Sequence, residues 1–185
     1  MSDERADTAF LLQAIECASR KHSMQRRKNV DASPYINHPI AVAHVLADTG
    51  GITDLITLMA AVLHDTIEDT ETTPAELEER FGETVRKLVE EMTDDKKLPK
   101  AKRKQLQIEH AHQLSRRAKA ITIADKIVNV QDVTNAPPAT WNLARRTEYL
   151  DWTEKVVAGC RGANPALERH YDDVLKKGRA VLAAT

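Results

Sequence analysis

Leu63-His64-Asp65-Thr66-Ile67-Glu68-Asp69-Thr70 holds the densest chemistry in this 185-residue chain. The apolar positions Leu55, Leu58, Met59, Val62 and Leu63 run straight into it, and their spacing predicts a helix. On a helix, residues four apart share a face about 6 Å apart along the axis. His64 is then expected above Glu68, and Asp65 above Asp69. Two potential metal ligands lie beside two carboxylates able to handle protons, the equipment of metal-assisted hydrolysis.

Outward from this stretch the chain reads as helical nearly throughout. Phe10, Leu11, Ala14, Ile15 and Ala18 mark a first helix, and a loop from about His22 to Asn37 follows. Pro39 suits the first turn of a second helix that ends near Gly50-Gly51. Thr53 or Asp54 can cap the third. Thr73-Pro74-Ala75-Glu76 has the form of a capping box, opening a short helix to Phe81-Gly82, with another from Glu83 to about Met92.

A polar loop from Thr93 to Pro99 leads into a basic helix from about Lys100 to Leu114. The next helix, about Arg116 to Val133, is stopped by Pro137-Pro138. A long helix is expected from about Ala139 to Cys160, and Asn164-Pro165 starts the last. Glycine is scarce and no alternating β-branched run stands between turns, so a sheet is not expected. The fold class is all-α, and the length suits one domain over 1–185.

With 42% hydrophobic and 30% charged residues, the composition is that of a soluble globular protein. No apolar run approaches the roughly 20 residues of a membrane span, and the charged N-terminus lacks a signal-peptide core. A cytoplasmic location is expected, with Cys17 and Cys160 as reduced, buried thiols. The net charge of -1 conceals two basic clusters, Arg20-Lys21-His22 with Arg26-Arg27-Lys28, and Lys96 to Lys104. A near-neutral chain does not announce a nucleic-acid surface, whereas local clusters suit a small, highly charged anion.

Three segments supply candidate metal ligands: His38 ahead of a helix, the His64-Asp65 pair, and Asp125 inside the apolar run Ala120 to Ala124. A carboxylate at such an apolar position needs a cation, a proton or a strong donor. Lys126 follows it, but a neighbouring helical residue points about 100° away. Two imidazoles and two carboxylates suit Mn, Fe, Co or Zn. Four protein ligands on a six-coordinate ion leave room for water and substrate, and Glu68 and Asp69 could orient or deprotonate that water.

The order His38, His64-Asp65, Asp125 resembles the HD-domain metal-dependent phosphohydrolases. Gln25-Arg26-Arg27-Lys28, Pro34-Tyr35-Ile36-Asn37-His38-Pro39, the 63–70 stretch and Ala124-Asp125-Lys126 with Asn129 sharpen this. Together they are similar to the hydrolase domain of the Rel/Spo stringent-response enzymes, over about Phe10 to Leu182. The likeness runs to the free-standing small alarmone hydrolases, including the animal-type form.

That resemblance implies a compact helical bundle of about eight to ten helices. It implies one Mn²⁺ held by His38, His64, Asp65 and Asp125, with Glu68 and Asp69 as the catalytic pair. The implied reaction removes the 3′-pyrophosphate of guanosine tetraphosphate or pentaphosphate, a small-molecule substrate, and no nucleic acid or membrane partner is implied. Arg27, Lys28 and Asn129 would contact the nucleotide. Lys100 and Tyr149 match further substrate positions, against the alternatives of a solvated loop and core packing. Nothing like the family's synthetase domain is recognisable, so the expectation is degradation without synthesis. The other readings are an HD-type phosphatase of another phosphorylated nucleotide, such as NADPH, and a non-catalytic regulator. Ser33 replaces a glycine common before the Pro-Tyr turn, which removes no functional group. His44, His110 and His112 are not expected at the metal.

Overall fold

The computed structural model describes residues 2–184. Ten α-helices account for most of them: α1 Ser2–Lys21, α2 Asn37–Asp48, α3 Leu55–Leu63, α4 Thr66–Asp69, α5 Pro74–Phe81, α6 Glu83–Met92, α7 Lys100–His110, α8 Arg116–Asn135, α9 Leu143–Cys160 and α10 Pro165–Ala183. A 3-10 turn, Ala111–Gln113, joins α7 to α8. Among the described residues there is no strand, and no helix is long and apolar enough to cross a membrane. The fold is an all-α bundle.

The helix starts follow local chemistry. Asp54 accepts the Thr57 N–H at 3.1 Å, Ser115 that of Ala118 at 3.2 Å, and Asn164 those of Ala166 and Leu167. Each satisfies a donor that the first turn leaves open. Thr73 caps α5 through the Glu76 N–H, but the Glu76 carboxylate turns to Lys21 at 2.9 Å instead of closing the box. That pairing ties α1 to α5. Pro137-Pro138 ends α8 as expected, yet α9 begins at Leu143, not Ala139, because Asn142 caps it through the Arg145 N–H at 2.9 Å.

α8 is the axis of the molecule, packing against α2, α3, α6, α9 and α10. Its buried residues Ala118, Ile121, Ile123, Ala124, Ile127, Val128 and Val130 run around the helix instead of along one stripe. Helices apolar all round sit inside a fold. α3 is likewise nearly all buried, between α1, α2, α6 and α8. Asp125 therefore sits midway along the central helix α8, faced by His38 from the first turn of α2 and by His64 just after α3.

Candidate metal centre and its two cavities

α3 stops at Leu63, and the stretch that reads as one helix is in fact bent. The Thr66 hydroxyl donates to Leu63 O at 2.7 Å, and His64 Nδ1 donates to Ala61 O at 2.7 Å. The helical ladder resumes with Asp69 N donating to Asp65 O. On a straight helix, His64 and Asp65 would diverge by about 100°. The bend instead brings His64 Nε2 and Asp65 Oδ2 to 3.1 Å.

His38 enters from the start of α2, and Asp125 from the middle of α8. Asp125 Oδ1 lies 2.9 Å from His38 Nε2 and 3.9 Å from His64 Nε2. Ligand atoms of His38, His64 and Asp65 all fall within 4.8 Å of one another. Donors on adjacent positions of an octahedral ion with bonds near 2.1 Å are about 3.0 Å apart, so these separations suit one divalent cation. The bond from His64 Nδ1 to Ala61 O fixes the tautomer and leaves Nε2 free to bind.

Electrostatics point the same way. Burial opposes the charge on His64, but Asp65 and Asp125 outweigh it and pull the imidazole up to about 9. Burial holds His38 down, against the pull of Asp125. Burial also opposes ionisation of Asp65 and Asp125. The histidines overcome it for Asp65, and Lys126 with His38 does so for Asp125, keeping both well below the usual carboxylate range. The cluster is a buried pocket of negative charge that draws in a proton where it has nothing better.

Neighbouring side chains orient the ligands. The Tyr35 hydroxyl donates to Asp65 Oδ2 at 2.5 Å, its proton retained by burial and by that carboxylate. Asn129 Nδ2 donates to Asp125 Oδ1 at 2.6 Å. Lys126 donates to Asp125 Oδ2 at 2.8 Å, contrary to the expectation that it points away. Its long stem curls back along α8, and its buried ammonium lies 4.6 Å over the Trp152 ring. Sequence reasoning gives Tyr35 and Gln25 no individual role, counts Arg103 only within a basic cluster and turns Lys126 away from Asp125. A buried lysine in an apolar run was the one available signal.

The paired carboxylates part company. Glu68 accepts from Arg103 Nη1 at 3.2 Å and from Asp94 N at 3.2 Å. Burial, then Asp94 and Asp65, push its carboxyl up to about 7. Asp69 faces the other way, accepting from Gln25 Nε2 at 2.9 Å and from Lys96.

Each carboxylate lines its own cavity. Glu68 faces one of about 300 Å³ that also reaches His64, Asp65 and Asp125; six carboxylates line it against Arg103 and Lys126. Asp69 faces one of about 470 Å³ lined by Arg26, Arg27, Lys28, Lys96 and Lys100 against two carboxylates. Asn129 and Tyr149 line the basic cavity as well. The Tyr149 ring also packs on Trp141 at 5.4 Å and on Trp152 at 5.2 Å. Burial, then Arg145, Lys28 and Arg103, lower Lys100, the mark of crowded cations.

The basic clusters do not act as units. His22 is buried, Lys21 pairs with Glu71 and Glu76, and Arg103 turns to the acidic side. Arg27 pairs with Asp132 at 2.5 Å and meets Asn129 Oδ1 at 3.2 Å. His44 and His112 are exposed away from the cluster, whereas His110 lines the acidic cavity.

A family model described as HD domain matches residues 14–150. The guanosine-3′,5′-bis(diphosphate) 3′-pyrophosphohydrolase MESH1 of Xenopus tropicalis is 49% identical, over 95% of this chain and 99% of its own length. Its counterpart from Homo sapiens is 48% identical, over 93% and 96%. A solved structure, described as a metazoan ortholog of SpoT that hydrolyzes ppGpp and plays a role in starvation responses, superposes with a TM-score of 0.90. It is 43% identical, over 94% of this chain and 97% of its own. The chain belongs to the HD-domain family, among relatives of the MESH1 type.

Proposed function

We propose that this chain, as a single domain over 1–185, hydrolyses the 3′-pyrophosphate of guanosine tetraphosphate and pentaphosphate, giving GDP or GTP and pyrophosphate. The observation that carries the reading is the charge partition. Three of the four candidate ligands, His64, Asp65 and Asp125, line the acidic cavity; Tyr35 and Asn129, which donate to Asp65 and Asp125, line the basic one, and Glu68 and Asp69 are divided between the two. The MESH1 relatives are named as guanosine-3′,5′-bis(diphosphate) 3′-pyrophosphohydrolases.

In this reading His38, His64, Asp65 and Asp125 hold Mn²⁺. When bound there, it would supply charge neutralisation at the phosphoryl oxygens and an acidified water. Glu68, poised near neutral pH, orients water and takes its proton. Asp69, the second member of the catalytic pair, positions the reacting groups from the nucleotide side. Arg27, Lys28 and Lys100 grip the phosphates, for which paired guanidinium and ammonium donors are well shaped. Asn129 meets the ribose and phosphates beside Asp125, and Tyr149 closes the far wall against the sugar or base. Two free buried cysteines fit a reducing cytoplasm.

The test is an assay of pure protein with Mn²⁺ across a nucleotide panel, with products resolved by ion exchange. Pyrophosphate from the tetraphosphate supports the reading. Orthophosphate from dinucleotides such as NADPH, with the tetraphosphate untouched, would replace it. Nucleotide binding without turnover under every divalent metal would make the chain a regulator.

A further inference from the structure

We propose that Gln25, and the buried His22 behind it, are positioning residues for Asp69. The inference rests on the catalytic role given to Asp69 above. Gln25 Nε2 donates to Asp69 Oδ2 at 2.9 Å. That fixes the amide, because its oxygen turned toward Asp69 would set acceptor against acceptor. Gln25 Oε1 therefore faces His22 Nδ1, at 2.6 Å, and accepts its proton-bearing nitrogen. His22 is 2% exposed, and its Nε2 is buried with no partner, so the ring serves as a single-purpose donor. The three side chains form a one-way chain of donors: His22 to Gln25, and Gln25 to Asp69.

The backbone holds this chain still. Gln25 N donates to His22 O at 2.9 Å, Gln25 O accepts from Tyr35 N at 3.1 Å, and His22 N donates to Ala18 O as the last turn of α1 unwinds. The His22 ring packs on Tyr35 at 4.9 Å between centroids, and Tyr35 is the donor to Asp65. One loop thus sets the angle of both Asp65 and Asp69. The other partner of Asp69, Lys96, is 48% exposed on the loop before α7 and free to turn to an incoming phosphate. The bond from Gln25 then remains the fixed constraint on the carboxylate. Positioning matters at this level, since a misplacement of about 1 Å can cost on the order of a hundredfold in rate.

The experiment compares Gln25→Leu, His22→Leu, His22→Asn and the Gln25→Leu/His22→Leu double variant. Each is assayed on guanosine tetraphosphate with Mn²⁺, with thermal melting and bound-metal stoichiometry alongside. Gln25→Leu is expected to lower kcat about tenfold or more with KM within about twofold and metal content unchanged. His22→Leu should match it, and the double variant should be no worse, because both break the same chain. His22→Asn puts an amide nitrogen where Nδ1 stands and should retain kcat within about threefold. Should His22→Leu fail to fold, Gln25→Leu and His22→Asn carry the comparison. Undiminished kcat in Gln25→Leu, or His22→Asn as poor as a folded His22→Leu, overturns the inference. Asp69→Asn separates the two claims. If it turns over normally, the role of Asp69 falls and this inference with it. If it is inactive while Gln25→Leu is normal, only the inference fails.

Discussion

Glu68→Gln should make the metal-free protein more stable at pH 8 while removing its turnover. The Glu68 carboxyl ordinarily loses its proton near 4.5; in the fold, burial and the nearby Asp94 and Asp65 push it up to about 7. Between those values the folded protein holds a proton that the unfolded chain has lost. Stability therefore falls as pH rises from 4.5 to 7 and is flat above. A shift of that size corresponds to about 3 kcal/mol of ionisation cost at pH 8. Glutamine carries no charge, but it has one oxygen where Glu68 uses two, for Arg103 and for Asp94 N. Losing one such bond costs about 1 kcal/mol. A net gain of about 1–2 kcal/mol remains, or roughly 3–6 °C in Tm for a chain of this size. Thermal melts of wild type and variant with chelator, at pH 5 and at pH 8, measure it. The gain should be present at pH 8 and nearly absent at pH 5. Equal or lower Tm for the variant at pH 8, or a gain that does not depend on pH, refutes the argument that Glu68 is held at an electrostatic cost.

Other outcomes follow from the same geometry. Asp125→Ala should lose both the divalent metal and turnover, whereas Glu68→Ala keeps the metal and loses turnover; calorimetric titration with Mn²⁺ separates them, and unchanged turnover in either variant removes that residue from the mechanism. Because Asp65 and Asp125 pull His64 up to about 9, Mn²⁺ binding at pH 7 should release about one proton and tighten as pH rises toward 9. Titrations in buffers of different ionisation enthalpy count that proton, and a count of zero contradicts the reading of the cluster. Lys126→Met leaves Asp125 with Asn129 and His38 but without its ammonium, and should destabilise by about 2–3 kcal/mol in urea melts. Lys100→Ala should raise KM for the tetraphosphate roughly tenfold with a smaller effect on kcat, since it faces the basic cavity and not the metal.

Much of this protein could be read from its residues alone, because the relevant signals are short-range. Helix starts at Asp54, Thr73 and Asn164 depend on a side chain and an N–H two or three residues away. The apolar positions of α3 and α8, and the oddity of Asp125 among the latter, depend on periodicity and on the cost of burying a charge. Those, with the family resemblance, sufficed for the all-α class and the ligand candidates His38, His64, Asp65 and Asp125. What the sequence could not decide depends on how distant segments pack. The bend at His64-Asp65 and the curl of Lys126 onto Asp125 answer to the space left between α2, α8 and Trp152. The separation of Glu68 from Asp69 arises because α7 brings Arg103 to one side and the loop before α2 brings Gln25 to the other. Adjacent residues in the chain thus serve opposite cavities, since a side chain's electrostatic partners are fixed by tertiary contact and not by its neighbours in sequence.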